Sequence, residues 1–261
     1  MQTSQNISKL LDNAWAALTF FTRLPLWRWH QPPRESYRAV VEFWPLAGWV
    51  TGSFMALTLF VGSMVLPYPI AVVLAIIVRL LVTGCLHEDG LADFFDGFGG
   101  GGTRQRILDI MKDSRIGTYG VIALIAYFAL LFLALEGLPP MVAIFLIIAA
   151  DPFSKMLASQ VVQMLPYARS EYEAKSGIVY RRISTVSAIL LTVQGLLPVV
   201  MFATVVGFPA HWEWLVFIPC LVMYLLYLLI WRKLRGYTGD CCGAMCLLVE
   251  LSIYIVYNAL T

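Results

Sequence analysis

Charge is scarce in this chain: Asp, Glu, Lys and Arg make up 13% of its 261 residues, while hydrophobic side chains make up 60%. So few charges cannot coat a water-soluble globule of this length. Histidine is scarcer still, three residues without metal-ligand spacing, and the five cysteines (Cys85, Cys220, Cys241, Cys242, Cys246) contain no Cys-x-x-Cys pair. That argues against a zinc site and a disulfide framework. No low-complexity linker and no fixed-period repeat breaks the chain, so residues 1–261 read as one membrane domain. A cleavable signal peptide is not expected either, because the apolar run Ala14 to Phe21 is short and ends in Thr-Arg-Leu-Pro.

What is present is apolar length. The mean hydropathy is +0.77, and windows of roughly 18 to 25 mostly apolar residues fall at about 40–66, 69–86, 116–135, 141–160, 187–208, 214–231 and 243–260. The expected fold is an all-α polytopic transmembrane helix bundle of about seven spans, six to eight if short segments are counted differently. Only Leu66-Pro67-Tyr68-Pro69 separates the first two, which leaves a re-entrant pair open there. All but two of the 18 Lys and Arg lie in residues 1–39, 87–115, 161–186 and 232–242, whereas the alternate loops have none. This is the positive-inside pattern of a cytoplasmic amino terminus. Leu11, Trp15 and Leu18 at helical spacing make residues 1–39 an interfacial amphipathic segment, and the four basic segments are expected to converge on one cytoplasmic site.

The charges that do occur are concentrated. Glu88, Asp89, Asp93 and Asp96 sit within Leu86-His-Glu-Asp-Gly-Leu-Ala-Asp-Phe-Phe-Asp-Gly97. On a helix, Asp89, Asp93 and Asp96 share one face, with Glu88 about 100° away. Like charges this close repel, and the nearest cations in sequence are Arg79 and Arg104, so the pattern calls for a divalent cation on oxygen ligands, magnesium rather than zinc. Residues 87–115 are thus read as an acidic cytoplasmic catalytic loop. Within it, Gly97 to Gly102 offer a sharp turn, a close approach to a ligand or a hinge, and Thr103 an N-cap for a short helix to Asp113. Lys112 and Arg115, with the hydroxyls around them, suit a phosphate as well as they suit ordinary topogenic charge. Arg79, Asp151, Lys155 and Glu250 lie inside spans, where an ionisable residue needs a partner. Asp151 and Lys155 are four residues apart beside Pro152, the spacing of a structural ion pair at a kink.

Several of these blocks together resemble a known family. Glu88-x-Gly90-Leu91-Ala92-Asp93-x-x-Asp96-Gly97, then Asp113-Ser114-Arg115-x-Gly117-x-x-Gly120 and Tyr237-Thr238-Gly239-Asp240-x-x-Gly243-Ala244, are similar to cobalamin synthase, the adenosylcobinamide-GDP ribazoletransferase family of the bacterial inner membrane. Phe21-Thr22-Arg23-Leu24-Pro25 and Phe43-Trp44-Pro45-Leu46-Ala47-Gly48 match it too. The resemblance implies magnesium-dependent transfer of the adenosylcobinamide phosphate from adenosylcobinamide-GDP to alpha-ribazole or its 5'-phosphate, with release of GMP. With it, Glu88, Asp89, Asp93 and Asp96 are expected to bind one or two magnesium ions, and Asp96 or Asp93 to act as general base. Lys112 and Arg115 are expected to hold the pyrophosphate, Asp240 to complete the site, and Ser114 and Arg23 to be further substrate contacts. The implied partners are those small molecules and the lipid bilayer, not nucleic acid; homo-oligomers and contacts with other late cobalamin-pathway enzymes stay open. Two other classes are weighed against this one. A CDP-alcohol phosphotransferase has similar acidic logic but Arg where Asp93 follows Ala92, and a transporter would use Arg79, Asp151, Lys155 and Glu250 as a substrate path.

Overall fold

Proline sets where several of the helices begin. In the computed structural model, which describes residues 2–169 and 178–261, α2 (Trp44–Val65), α3 (Tyr68–Thr83) and α7 (Pro140–Ser159) each carry proline in their first turn. There a missing N–H leaves no helical bond unmade and the fixed φ suits the helix. The other long helices are α1 (Gln2–Phe21), α4 (Leu86–Gly100), α6 (Thr118–Glu136), α9 (Thr185–Val205), α10 (Trp214–Leu234) and α11 (Gly239–Leu260). Two short ones, α5 (Arg104–Lys112) and α8 (Val161–Met164), complete the set. Residues 34–43 form a 3-10 stretch leading into α2. Among the described residues there is no strand, only an isolated bridge between Tyr167 and Tyr237.

Among the described residues six helices are long and apolar enough to cross a membrane, and α3 with α4 makes a seventh candidate bent by 90°. The protein is therefore a multi-pass membrane protein. The expected break between the first two spans is an ordinary turn; the sharp one comes a helix later. Gly84 and Cys85 both take left-handed backbone, φ 64° and 58°. Glycine adopts that region freely and cysteine does so at a cost, so two such residues in succession end α3 and redirect the chain into α4. The carboxylate segment is consequently a helix, not a loop. The glycine run divides: Gly97 to Gly100 form the last turn of α4, with Gly97 laid against Met111 and Gly99 against the Tyr119 ring, and Gly101 and Gly102 make the expected break before α5. Thr103 caps α5 as expected, its hydroxyl accepting from the Arg106 N–H at 3.2 Å.

α7 and α11 form the core, buried along most of their length, while α6, α9 and α10 turn most of their surface outward. An outward apolar face is what lipid requires of a span. The intramembrane charges are matched inside. Arg79 donates to both oxygens of Glu250 at 2.5 and 2.7 Å, and the Tyr254 hydroxyl donates to Glu250 at 2.7 Å. Lys155 pairs with Asp151 on the same helix, and the other Asp151 oxygen accepts from the Thr51 hydroxyl at 2.7 Å. The pair beside Pro152 is thus the expected one, and α2 closes over it: a Cβ at Gly48 would stand 2.8 Å from the Pro152 Cα. With these four side chains tied to one another, no chain of open charges remains along them for a transport path.

Candidate active site

One end of the bundle gathers the four basic segments around a cavity of about 310 Å3. Phe21 reaches it from the first segment, Asp89 from the start of α4, Arg169 from the stretch after α8, and Asp240 from the first turn of α11. The expected convergence is present in the described residues; Lys175, counted with the third basic segment, lies outside them.

Two backbone contacts set the spacing. α4 and α11 cross so closely that a Cβ at Gly90 would be 3.1 Å from the Asp240 Cα, and one at Gly243 would be 3.2 Å from the His87 carbonyl oxygen. A side chain at either position would press the two backbones apart by a few tenths of an ångström, and glycine lets them meet. That approach brings the segment bearing Asp89 alongside Asp240. Asp240 is further fixed by the cap of α11, where the Thr238 hydroxyl accepts from the Cys241 N–H at 3.3 Å. Arg169 is placed by paired main chains: Tyr237 N–H donates to Pro166 O at 2.9 Å and Ala168 N–H to Tyr237 O at 2.8 Å. Its guanidinium donates to the Leu108 carbonyl at 2.8 Å.

Much of the rest of the cavity wall is aromatic. Phe21 and Trp44 stack with ring centres 5.2 Å apart and planes 13° from parallel, and Trp44 and His87 follow at 5.7 Å and 23°. Tyr167 and Tyr180 also face the volume, and burial pushes both phenols above their ordinary pKa, so both stay neutral. Beside this cavity lies a more polar one of about 240 Å3, lined by Arg104, Gln105, Asp109, Lys112 and Arg169. Arg169 belongs to both.

The four clustered carboxylates separate in space. Asp89 is exposed and lines the cavity. Asp93 is half-buried one turn on. Glu88 is buried, and its Oε2 has no hydrogen-bond partner. Asp96 is buried and caps α6, its two oxygens accepting from the Gly117 N–H at 2.7 Å and the Gly120 N–H at 2.8 Å. Among the described residues no three His, Cys, Asp or Glu side chains gather to hold a metal ion. Glu88, Asp89, Asp93 and Asp96, expected to bind one or two magnesium ions, therefore do not gather as one set of ligands. A smaller donor set does fit magnesium, which is commonly held by one or two carboxylates together with substrate phosphates: Asp89 and Asp240, on one cavity wall.

The phosphate candidates divide as well. Lys112 lines the polar cavity. Arg115 is exposed and folds back on Asp113, donating at 3.2 and 2.9 Å, and it holds the Asp113 carboxyl below the usual carboxylate range. Ser114 beside it is exposed. Arg23 lies over the α3–α4 bend, where a Cβ at Gly84 would meet its side chain. Sequence reasoning leaves His87 open as a ligand or a base beside the acidic cluster, and it misses Tyr167, Tyr180 and Phe20, which also lines the cavity; only the blocks around Phe21 and Trp44 carry a signal for the aromatic wall.

Curated relatives match this chain over nearly its whole length. A protein of Shewanella sp. (strain W3-18-1) named adenosylcobinamide-GDP ribazoletransferase is 34% identical over 259 residues, covering 98% of this chain and 97% of its own. Its namesake from Leptospira interrogans is 31% identical, covering 92% of each. No solved structure matches. The family model described as cobalamin-5-phosphate synthase matches residues 13–258, a stretch that includes every residue placed at the two cavities, and the chain belongs to that family.

Proposed function

We propose that this protein is a transferase of the bacterial inner membrane that moves the adenosylcobinamide phosphate from adenosylcobinamide-GDP to alpha-ribazole or its 5'-phosphate and releases GMP. The observation that carries this reading, beside the family, is that Arg169 is shared by a carboxylate-bearing cavity and a basic one. An acceptor hydroxyl and a diphosphate need those two environments side by side. The ribazole hydroxyl oxygen attacks the phosphorus that bears cobinamide, the bond from that phosphorus to the bridging oxygen breaks, and GMP leaves with the bridging electron pair. Asp89, with Asp93 as the alternative, accepts the hydroxyl proton. Arg169 and Lys112 hold phosphate oxygens. Asp96 positions: it fixes the start of α6 against α4. Magnesium would be held by Asp89 and Asp240 with the diphosphate, and when bound it neutralises charge developing on the phosphoryl oxygens. The distribution of Lys and Arg supports a cytoplasmic mouth.

The test is GMP release by the purified protein in lipid, supplied with adenosylcobinamide-GDP, alpha-ribazole and magnesium. Turnover that stops on chelation and returns with magnesium is the expected result. No GMP under any of these conditions overturns the assignment.

A further inference from the structure

The polar cavity carries one side chain that a phosphate site has no use for. Gln105, Asp109 and Lys112 stand at i, i+4 and i+7 on α5, so a single stripe of that helix borders the volume of about 240 Å3 that they line with Arg104 and Arg169. The opposite face of α5 is taken up by packing, through the buried Ile107 and Met111. All three stripe residues are exposed, so their polar ends are open to a ligand.

The stripe is polarised along the helix. The Leu108 carbonyl points toward the Lys112 N–H, and Arg169 donates to that carbonyl at 2.8 Å, which sets the two cations Arg169 and Lys112 at the C-terminal turn of α5. Arg104, at the other end, is held by donating to the Leu234 carbonyl at 2.7 Å and the Ala168 carbonyl at 2.5 Å. Between them, the Asp109 side chain has one bond among the described residues: the Gln105 amide donates to its Oδ1 at 2.9 Å, which leaves Oδ2 and the Gln105 Oε1 as acceptors. A carboxylate repels phosphate oxygens. Asp109 therefore suits a part of the ligand that donates hydrogen bonds. In the proposed reaction the diphosphate ends in guanosine, and guanine presents two donors side by side, N1–H and the 2-amino group, the edge that a carboxylate accepts with both oxygens. Adenine has an acceptor at N1, and a benzimidazole joined to a sugar through one nitrogen has no N–H at all.

We infer that the polar cavity is the nucleotide site of the donor substrate, in which Asp109, oriented by Gln105, accepts the N1–H and 2-amino hydrogens of guanine while Arg169 and Lys112 hold the diphosphate at the seam between the two cavities. The inference rests on the proposed function for the identity of the nucleotide. Asp109 is in this view a specificity residue, with no part in the bonds that form and break.

The experiment reads binding apart from turnover. Calorimetry on the full-length protein in lipid nanodiscs, with magnesium, compares GDP, ADP and xanthosine diphosphate, which differ only in the base. Wild type is expected to bind GDP about tenfold or more tightly than either, because guanine donates twice to the carboxylate whereas adenine N1 and xanthine O2 are acceptors that meet it unfavourably. Asp109→Asn keeps the shape and exchanges one acceptor for a donor. It should move the preference from GDP to xanthosine diphosphate, whose O2 accepts where guanine donates, a reversal that a merely structural role for Asp109 would not produce. The KM for adenosylcobinamide-GDP should rise in this variant without a rise in that for ribazole. Equal binding of GDP and ADP to wild type, no binding of GDP, or a GDP preference that survives Asp109→Asn would each overturn the base site, and GMP release by wild type alongside any of them leaves the reaction standing. A base preference that follows Asp109 in a protein that releases no GMP keeps the nucleotide site and overturns the reaction.

Discussion

The charges inside the bundle and the charges at its end obey different rules. Arg79 and Glu250 are buried and bound to each other twice, and Lys155 and Asp151 are equally enclosed. Asp89, Asp240 and Arg169 instead border open volume. In hydrocarbon an ionised group survives only with a partner, so partnered charge there is a condition of the fold. A charge bordering a cavity is under no such demand, and it has room beside it for a substrate. The comparison predicts that the first set governs stability and the second governs rate.

Glu250→Ala should give the largest effect, because it strands Arg79 in the core. A loss of about 3–5 kcal/mol in stability is expected, read as the fall in detergent-solubilised, folded protein on heating. Tolerance of Glu250→Ala would mean that water reaches the pair and would blur the distinction.

Asp89→Asn should leave thermal stability at the wild-type level and lower GMP formation by about a hundredfold or more. Asp240→Asn is expected to follow it and also to weaken the response to magnesium. If both variants melt early and turn over normally, the two regions have exchanged roles.

Asp96 stands between the two sets, since it is acidic-cluster by sequence and a helix cap by contact. Asp96→Ala should cost about 1–3 kcal/mol of stability, as for a buried acceptor that satisfies two backbone donors. A rate loss in Asp96→Asn without any loss of stability would return it to the chemistry.

The smallest effect belongs to Arg115→Lys. The side chain is exposed and engaged with Asp113, and such pairs contribute little, so rates within about twofold of wild type are expected in membranes with matched protein levels. A large fall would show that the loop moves its guanidinium onto the transferring phosphate.

Much of the scaffold was legible because its cause is local. Apolar length marks the spans, and i,i+4 spacing beside Pro152 marks the Asp151–Lys155 pair. The acidic cluster shows where such reading ends. Periodicity correctly puts Asp89, Asp93 and Asp96 on one face of a helix, but it gives an angle and not a reach. Seven residues of helix span about 10 Å, while one magnesium ion draws its ligands to about 2 Å. Asp89 therefore meets α11 and Asp96 meets α6. The aromatic wall was harder still, since Phe21, Trp44, His87 and Tyr180 come from segments whose nearness is decided by tertiary packing. The bend at Gly84–Cys85 had half a signal, a glycine; nothing in the sequence announces a left-handed cysteine.

The two buried ion pairs also differ in when they can form. Asp151 and Lys155 travel on one helix, so α7 carries its own neutralisation as it leaves the ribosome and enters the bilayer. Arg79 must wait for Glu250, 171 residues later. Until α11 arrives, the growing protein holds an unanswered cation at membrane depth, an incomplete state that insertion and quality-control machinery can distinguish from the finished one. The last helix is thus the latch of assembly, and chains truncated before Gly239 are expected to be cleared from the membrane faster than full-length ones, as pulse-chase labelling would show.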